Sequence, residues 1–539
     1  MKFELTQQQR LIKKAINFGT KKHVIVNASS GSSKSSSVII SVSDRAECPF
    51  KTGLVLAFNA KIAKENKKEF PSWCEVRTNH SLAYEYIVRP DKLTVKNNVQ
   101  AIDFTGRHTQ KIRQSALYYL NKFCASESLN IKDFIASEGC YKSTIEEIYV
   151  MIKQIFVDST GGKMPISHAV YIKVFQMSLA YGDISLPKYD FLFMDEFADV
   201  NMCYYSIFCN IDAGKKIAVG DDNQAIFTFN HSVDGLSMLE EKYPDDSITL
   251  SLDQTFRCSK EIAEATRVFG INHMDPDFEY HGVDVDTSDL KTFGFITRTN
   301  KELIIEALSC VEKGIKFNFA RSVDSILGPP IYLKSGLLND YKTLMEYEAF
   351  ENIPLDKRPK DENKYIIYEY ESFMMINGSE NKSFTKYLIN RGKEDSSFHP
   401  DLVRVAKLSD KFNLRNMIKL LKYAKDKSNH SENYVLGTAF STKGISLDAV
   451  YIADDINELT ENSIDDELRE DESEIYLAYV ACTRARKLLI NAKILDYRGK
   501  DNDIGTEDGK YKSIVTGSQM TYGNFKGLLL HSIENKKLL

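Results

Sequence analysis

No apolar run in this chain approaches the ~20 residues of a membrane span, and the opening Met1-Lys2-Phe3-Glu4 lacks the apolar stretch of a secretion signal. A secreted or membrane-spanning protein is therefore not expected; the cytoplasm, the nucleoplasm or a host cytoplasm fits better. Cys-x-x-Cys is also missing. Nine cysteines are scattered, with Cys203 and Cys209 the nearest pair, which argues against a zinc ribbon or a disulfide framework. A dominant charge is absent too: the net charge is −5, so any contact with nucleic acid must use local patches. The acidic stretch from Asp454 to Glu474 reads as a solvated connecting loop. Neither an internal repeat nor a low-complexity tract is seen. What remains is 539 residues at 43% hydrophobic content, enough for three or four ordinary cores.

Two short segments carry chemistry. Residues 27–37, NASSGSSKSSS, follow the apolar run His23-Val24-Ile25-Val26 and fit a phosphate loop, with Ala28, Ser29, Ser30, Gly31, Ser32 and Ser33 ahead of Lys34-Ser35-Ser36. Backbone amides would cradle phosphate oxygens, Lys34 would neutralise them, and Ser35 would ligate Mg²⁺ at the start of a helix. Ser33 stands where such loops have glycine and restricts the backbone there. In the second segment, Phe191 to Met194 form a buried-strand pattern running into Asp195 and Glu196. Carboxylates at a strand's C-terminal end lie where open α/β sheets bind ligands. Asp195 would hold Mg²⁺, and Glu196 would orient or deprotonate the attacking water. Jointly the two segments describe an ATP site.

Buried-strand patterns at 22–28, 52–58, 189–195 and 215–221 alternate with helical ones, and a second series follows at 247–252, 290–297, 433–439, 448–453 and 487–492. The expected fold class is α/β, with two doubly wound parallel-sheet cores. Residues 89–165 and about 315–430 interrupt the alternation with helical, Lys- and Tyr-rich sequence and read as insertions. From Gly499 to the end, six glycines suggest a loosely ordered extension.

Further segments fall in a known order. LTQQQR at 5–10, GLVLAFNAKIAKE at 53–65, TNHSLAY at 78–84, DEFADVN at 195–201 and VGDDNQAIFTF at 219–229 are followed by LDQTFRCSKEI at 252–262, FITRTN at 295–300, TAFSTKGISLDAV at 438–450 and EIYLAYVACTRARK at 474–487. In these segments the chain resembles the UvrD/Rep family of superfamily 1A DNA helicases, in particular the branch related to F-box DNA helicases. The resemblance implies RecA-like cores 1A (1–88 and 166–256) and 2A (257–314 and 431–500), insertions 1B (89–165) and 2B (315–430), and an extension at 501–539. It also implies that Gln9 reads the adenine edge, that Gln224 senses the γ phosphate, and that Arg257 and Arg484 reach across from the second core to the transferred phosphoryl group. Phe256 would stack on adenine or be a core phenylalanine, and Gly444 would line the nucleotide site. Phe58 and Phe229 would stack DNA bases, with Asn59, Thr78, His80 and Thr438 on the strand.

The activity implied is an ATP- and Mg²⁺-dependent helicase moving 3′ to 5′ on single-stranded DNA, acting in replication, recombination or repair. Implied partners are single strands, duplex junctions, and a single-strand-binding protein or a recombination or replication protein. Departures fall at Ser33, Ala60, Ala198, Asn230, Phe440 and Ser446, where the family has Gly, Lys, Gln, Arg, His and Glu. These keep a second class open: a weakly hydrolysing ATP- and DNA-binding switch, or a helicase subunit dependent on a partner. No Asp...Glu-x-Lys nuclease signature follows residue 500.

Overall fold

The structure is a computed structural model, and it describes residues 4–57, 59–224, 232–321, 384–394, 406, 414–457, 473–496 and 522–535. The chain divides into two units, Met1–Asp289 with Asn457–Gln519 and Leu290–Ile456 with Met520–Leu539.

In the first unit six parallel strands form one sheet. They are β1 (His23–Ala28), β2 (Gly53–Ala57), β3 (Cys74–Thr78), β4 (Tyr189–Met194), β5 (Ala213–Gly220) and β6 (Ser247–Leu252), in the order β6-β1-β5-β4-β2-β3. Side chains alternate across a strand, so an unbroken apolar run needs cover on both faces. Val24, Val26, Phe191, Phe193, Ile217 and Val219 face one layer, with Ile12, Ile16, Val38 and Val42 from helices Gln7–Phe18 and Lys34–Ser43. Ile25, Leu192, Met194 and Ala218 face the other, with Ile152, Ile155, Phe175 and Phe208 from three further helices. Each such large side chain contributes roughly 1.5–3 kcal/mol by burial. Register fixes the site: Asn27 pairs with Gly220 and Met194 with Ala218, so the loops after β1, β4 and β5 leave from one sheet edge.

The strand pattern alone counts β6 (247–252) with the second series, whereas the resemblance sets it in core 1A; it pairs along its whole length with β1, His23 with Ser247 through Ala28 with Leu252. A short apolar run has the same local character in either sheet, and only tertiary pairing decides. The stretch 89–165 is helical, with Gln110–Ala125, Ile131–Ser137 and Ile145–Thr160, and its Ala116, Leu120, Ile148 and Ile152 join the apolar layer under the sheet.

The second unit contains four strands of another parallel sheet: β7 (Phe293–Thr297), β8 (Asn318–Phe319), β9 (Tyr434–Thr438) and β10 (Leu447–Ile452), in the order β8-β9-β7-β10. Much of 315–430 lies outside the described residues, as does 458–472 within the acidic stretch. The loosely ordered extension needs correction. Residues Tyr522–Asn535 form a helix with Phe525 and Leu529 fully buried. The rings of Phe293, Tyr434 and Tyr451 lie 5.9, 6.3 and 5.5 Å from that of Phe525. Its glycines hid a helix whose stability comes from packing rather than propensity.

Candidate nucleotide-binding site

The loop after β1 turns on two left-handed residues. Gly31 has φ +76°, and a Cβ there would meet Arg257 Cβ at 2.5 Å and Thr255 Oγ1 at 2.6 Å, so only glycine fits. Ser33 has φ 62° and ψ 41°, the conformation that the missing glycine would adopt freely, and its side chain does not cap the helix it precedes. The loop is tied down on both sides, with Ser29 N–H donating to Leu252 O at 3.0 Å and Phe256 N–H to Gly31 O at 2.9 Å. The helix then begins at Lys34, and its first-turn amides have no partner within the helix.

Asp195 and Glu196 leave β4 directly opposite. The Ser35 hydroxyl donates to Asp195 Oδ2, and Glu196 N–H to Asp195 Oδ1 at 3.0 Å. Burial, then the neighbouring Glu196, pushes the Asp195 carboxyl up, opposed by Ser35 and Lys34. A hydroxyl and a carboxylate in contact are the hard oxygen donors that suit Mg²⁺, which takes few protein ligands and completes its shell with water and phosphate. Among the described residues no group of three or more His, Cys, Asp or Glu is gathered for a metal, consistent with such a sparse site. Glu196 is itself left-handed, φ 56° and ψ 41°, at the strand-to-turn corner. Ala198 is buried against Gly220, where a Cβ would lie 2.7 Å from Ala198 N.

Two arginines converge on Ser30. Arg257 Nη1 and Arg484 Nη2 each donate to its hydroxyl at 2.8 Å. Arg484 is 1% exposed, and burial beside Arg257 lowers its guanidinium to about 9. Two cations that share a neutral hydroxyl repel each other until an anion comes between them, so the arrangement favours a phosphate. Arg257 and Arg484, expected from the second core, group with the phosphate loop in the first unit.

Several participants were not singled out by the sequence. Tyr280 donates to Ser30 O at 2.9 Å, while Tyr479 accepts from Ser30 N–H at 2.9 Å and donates to Asp221 Oδ2 at 3.2 Å. Gln224, 4% exposed, donates its side-chain amide to the same Asp221 oxygen. Asn27 Nδ2 donates to Asp222 Oδ2 at 2.6 Å, and burial with Asp234 and Asp221 raises Asp222 to about 7. Tyr479 and Asp221 lie inside recognisable strings, so only their partners were hidden; nothing around Tyr280 signalled it.

The remaining candidates are dispersed. Phe256 is 42% exposed beside the loop, which removes the core reading. Gln9 is buried, accepting from Thr6 N–H at 3.1 Å and donating to Ser37 Oγ at 3.3 Å, so its amide braces its own helix and the next. Asn59 and Thr78 cap helices, accepting from Ile62 N–H at 2.9 Å and Ser81 N–H at 3.0 Å. His80 lies at a rim with the rings of His168, Tyr171 and Tyr204 at 5.5, 6.1 and 6.3 Å. Packing among these rings, then His168, lowers it to about 4, so it is neutral at pH 7. In the second unit Thr438 accepts from Ser441 N–H at 3.3 Å, and Gly444 has φ +84° with open space around it. Phe58 and Phe229 lie outside the described residues, as does Asn230.

Residues 182–244, which carry β4, Asp195, Glu196, β5 and Gln224, match the family model of the UvrD/REP helicase N-terminal domain. The chain resembles the UvrD/REP helicases. It is also 24% identical to F-box DNA helicase 1 of Gallus gallus over 91% of its own length. That match covers 49% of the chicken protein, so the chain spans about half the length of that relative. None of the described helices is long and apolar enough to cross a membrane.

Proposed function

We propose that this chain is an ATP-dependent DNA helicase that translocates 3′ to 5′ on single-stranded DNA and separates duplexes in replication, recombination or repair. The observation that carries the reading is the convergence, within one unit, of the phosphate loop, the Ser35–Asp195 contact and the Arg257–Arg484 pair on Ser30. Phosphoryl transfer asks a protein for position and charge neutralisation, and these residues supply both.

Loop amides and Lys34 bind the phosphates, and the exposed ring of Phe256 stacks on the base. Ser35 and Asp195 would hold Mg²⁺, which would supply charge neutralisation at the phosphates. Glu196 orients or deprotonates the attacking water, and Gln224 reads the γ phosphate. Arg257 and Arg484 exchange the Ser30 hydroxyl for the transferred group as its charge develops. Asn59, Thr78, His80 and Thr438 meet the strand, together with Phe58 and Phe229, whose stacking tolerates any base. The reading includes the division into cores 1A and 2A with insertions 1B and 2B, and partners that handle single strands in replication or recombination.

A tailed-duplex assay tests it. With ATP and Mg²⁺, a 3′-tailed duplex should be separated and a 5′-tailed one left intact, and Lys34→Ala should lose separation while keeping affinity for single strands. Separation from 5′ tails alone would reverse the polarity. ATP turnover limited to a single burst with no separation would instead support the weakly hydrolysing switch.

A further inference from the structure

The Ser30 backbone is gripped from both sides by tyrosines that the catalytic scheme does not use. Tyr280 and Tyr479 are 1% and 0% exposed, and their rings meet edge-on at 6.1 Å. Their hydroxyls differ in what lies beyond. Tyr280 donates to Ser30 O, and Cys258 Sγ lies 3.2 Å from its hydroxyl. Tyr479 bridges, accepting from Ser30 N–H and donating to the Asp221 oxygen that also receives the Gln224 amide. One phenolic hydroxyl, with a hydrogen bond on each side, therefore links the phosphate loop to the carboxylate that accepts from Gln224. Burial and Asp221 keep the phenol far above its ordinary pKa, so the proton stays on the oxygen and the direction of donation is fixed.

We propose that Tyr479 is a positioning residue for phosphoryl transfer, whose hydroxyl relays the conformation of the phosphate loop through Asp221 to Gln224. This rests on the ATPase reading above. When phosphate draws Arg257 and Arg484 from the Ser30 side chain, the backbone remains held, and any shift of the Ser30 amide is passed to Asp221. Binding of ATP needs the loop and the arginines; turnover needs Gln224 in place as well. The Tyr479 hydroxyl should therefore matter more for kcat than for KM.

Steady-state hydrolysis by the full chain with Mg²⁺-ATP and single-stranded DNA tests this with two isosteric variants. Tyr479→Phe keeps the ring packed against Phe278 and Tyr280 and should lower kcat about tenfold, with a clearly smaller rise in KM for ATP from the freed Ser30 amide. Tyr280→Phe, which frees Ser30 O without touching Asp221, should raise KM and leave kcat within about twofold. An unchanged kcat in Tyr479→Phe, or the same kcat-to-KM pattern in both variants, would overturn the inference alone. A wild type without turnover would overturn the ATPase reading and this inference with it.

Discussion

Ser33 and Glu196 hold left-handed backbones, the first before Lys34 and the second bearing the carboxylate proposed to act on the attacking water. A left-handed conformation costs an L residue about 1–2 kcal/mol, and glycine would recover that less about 0.5–1 kcal/mol of added unfolded-state entropy. Ser33→Gly should therefore leave the unfolding midpoint equal or slightly higher, with ATP turnover undiminished. A clear fall in either would mean that the Ser33 hydroxyl has a role of its own. His80 gives a pH signature. Its folded-state pKa of about 4 lies below the usual 6.5, so between these values the unfolded chain binds the proton more tightly. Stability should fall as pH drops through that window and level off above 6.5. His80→Gln should make the acid-side slope shallower in denaturant titrations; an unchanged slope would assign it elsewhere.

At the scale of elements, the helix Tyr522–Asn535 shows what the sequence concealed and why. Its glycines and polar residues argued for a tail, whereas Phe525, Leu529 and a buried charge pair commit it to the second unit's core. Lys526 Nζ lies 3.2 Å from Glu306 Oε1, and Tyr434 and Tyr522 donate to the same carboxylate. Phe525→Ala should cost about 3–5 kcal/mol of that unit's stability by leaving a cavity. A loss under about 1 kcal/mol in urea denaturation would mean that the helix is not docked in solution. Strand β6 was opaque to the strand pattern alone, which gave its limits but not its partner. By contrast β1, β4 and β5 were legible because both faces are covered, which leaves a continuous apolar run ending in polar residues at the site. The short edge strand β3, with every residue half-buried, left no such trace.

Across the whole molecule, alternating strand patterns made the two-sheet plan legible, and the ordered strings set the candidate nucleotide residues on loops that leave one sheet edge. Long-range hydrogen bonds were not readable: the link from Ser30 to Tyr479 spans 449 positions and has no local signature. A net charge of −5 confines strand binding to local patches, yet phosphate contacts still release counterions. For about three contacts, raising salt from 50 to 200 mM should weaken single-strand affinity roughly twentyfold. Salt-insensitive binding in a fluorescence anisotropy titration would argue against a backbone-tracking motor.

Asp195 and Glu196, beside the phosphate loop, are proposed to hydrolyse ATP in response to a DNA strand. Steady-state ATP hydrolysis with and without single-stranded DNA, wild type beside Glu196→Gln, tests it most directly. DNA-stimulated turnover is expected in the wild type, with its loss, by about two orders of magnitude or more, in the variant. Turnover that ignores DNA, or that survives in Glu196→Gln, would contradict it.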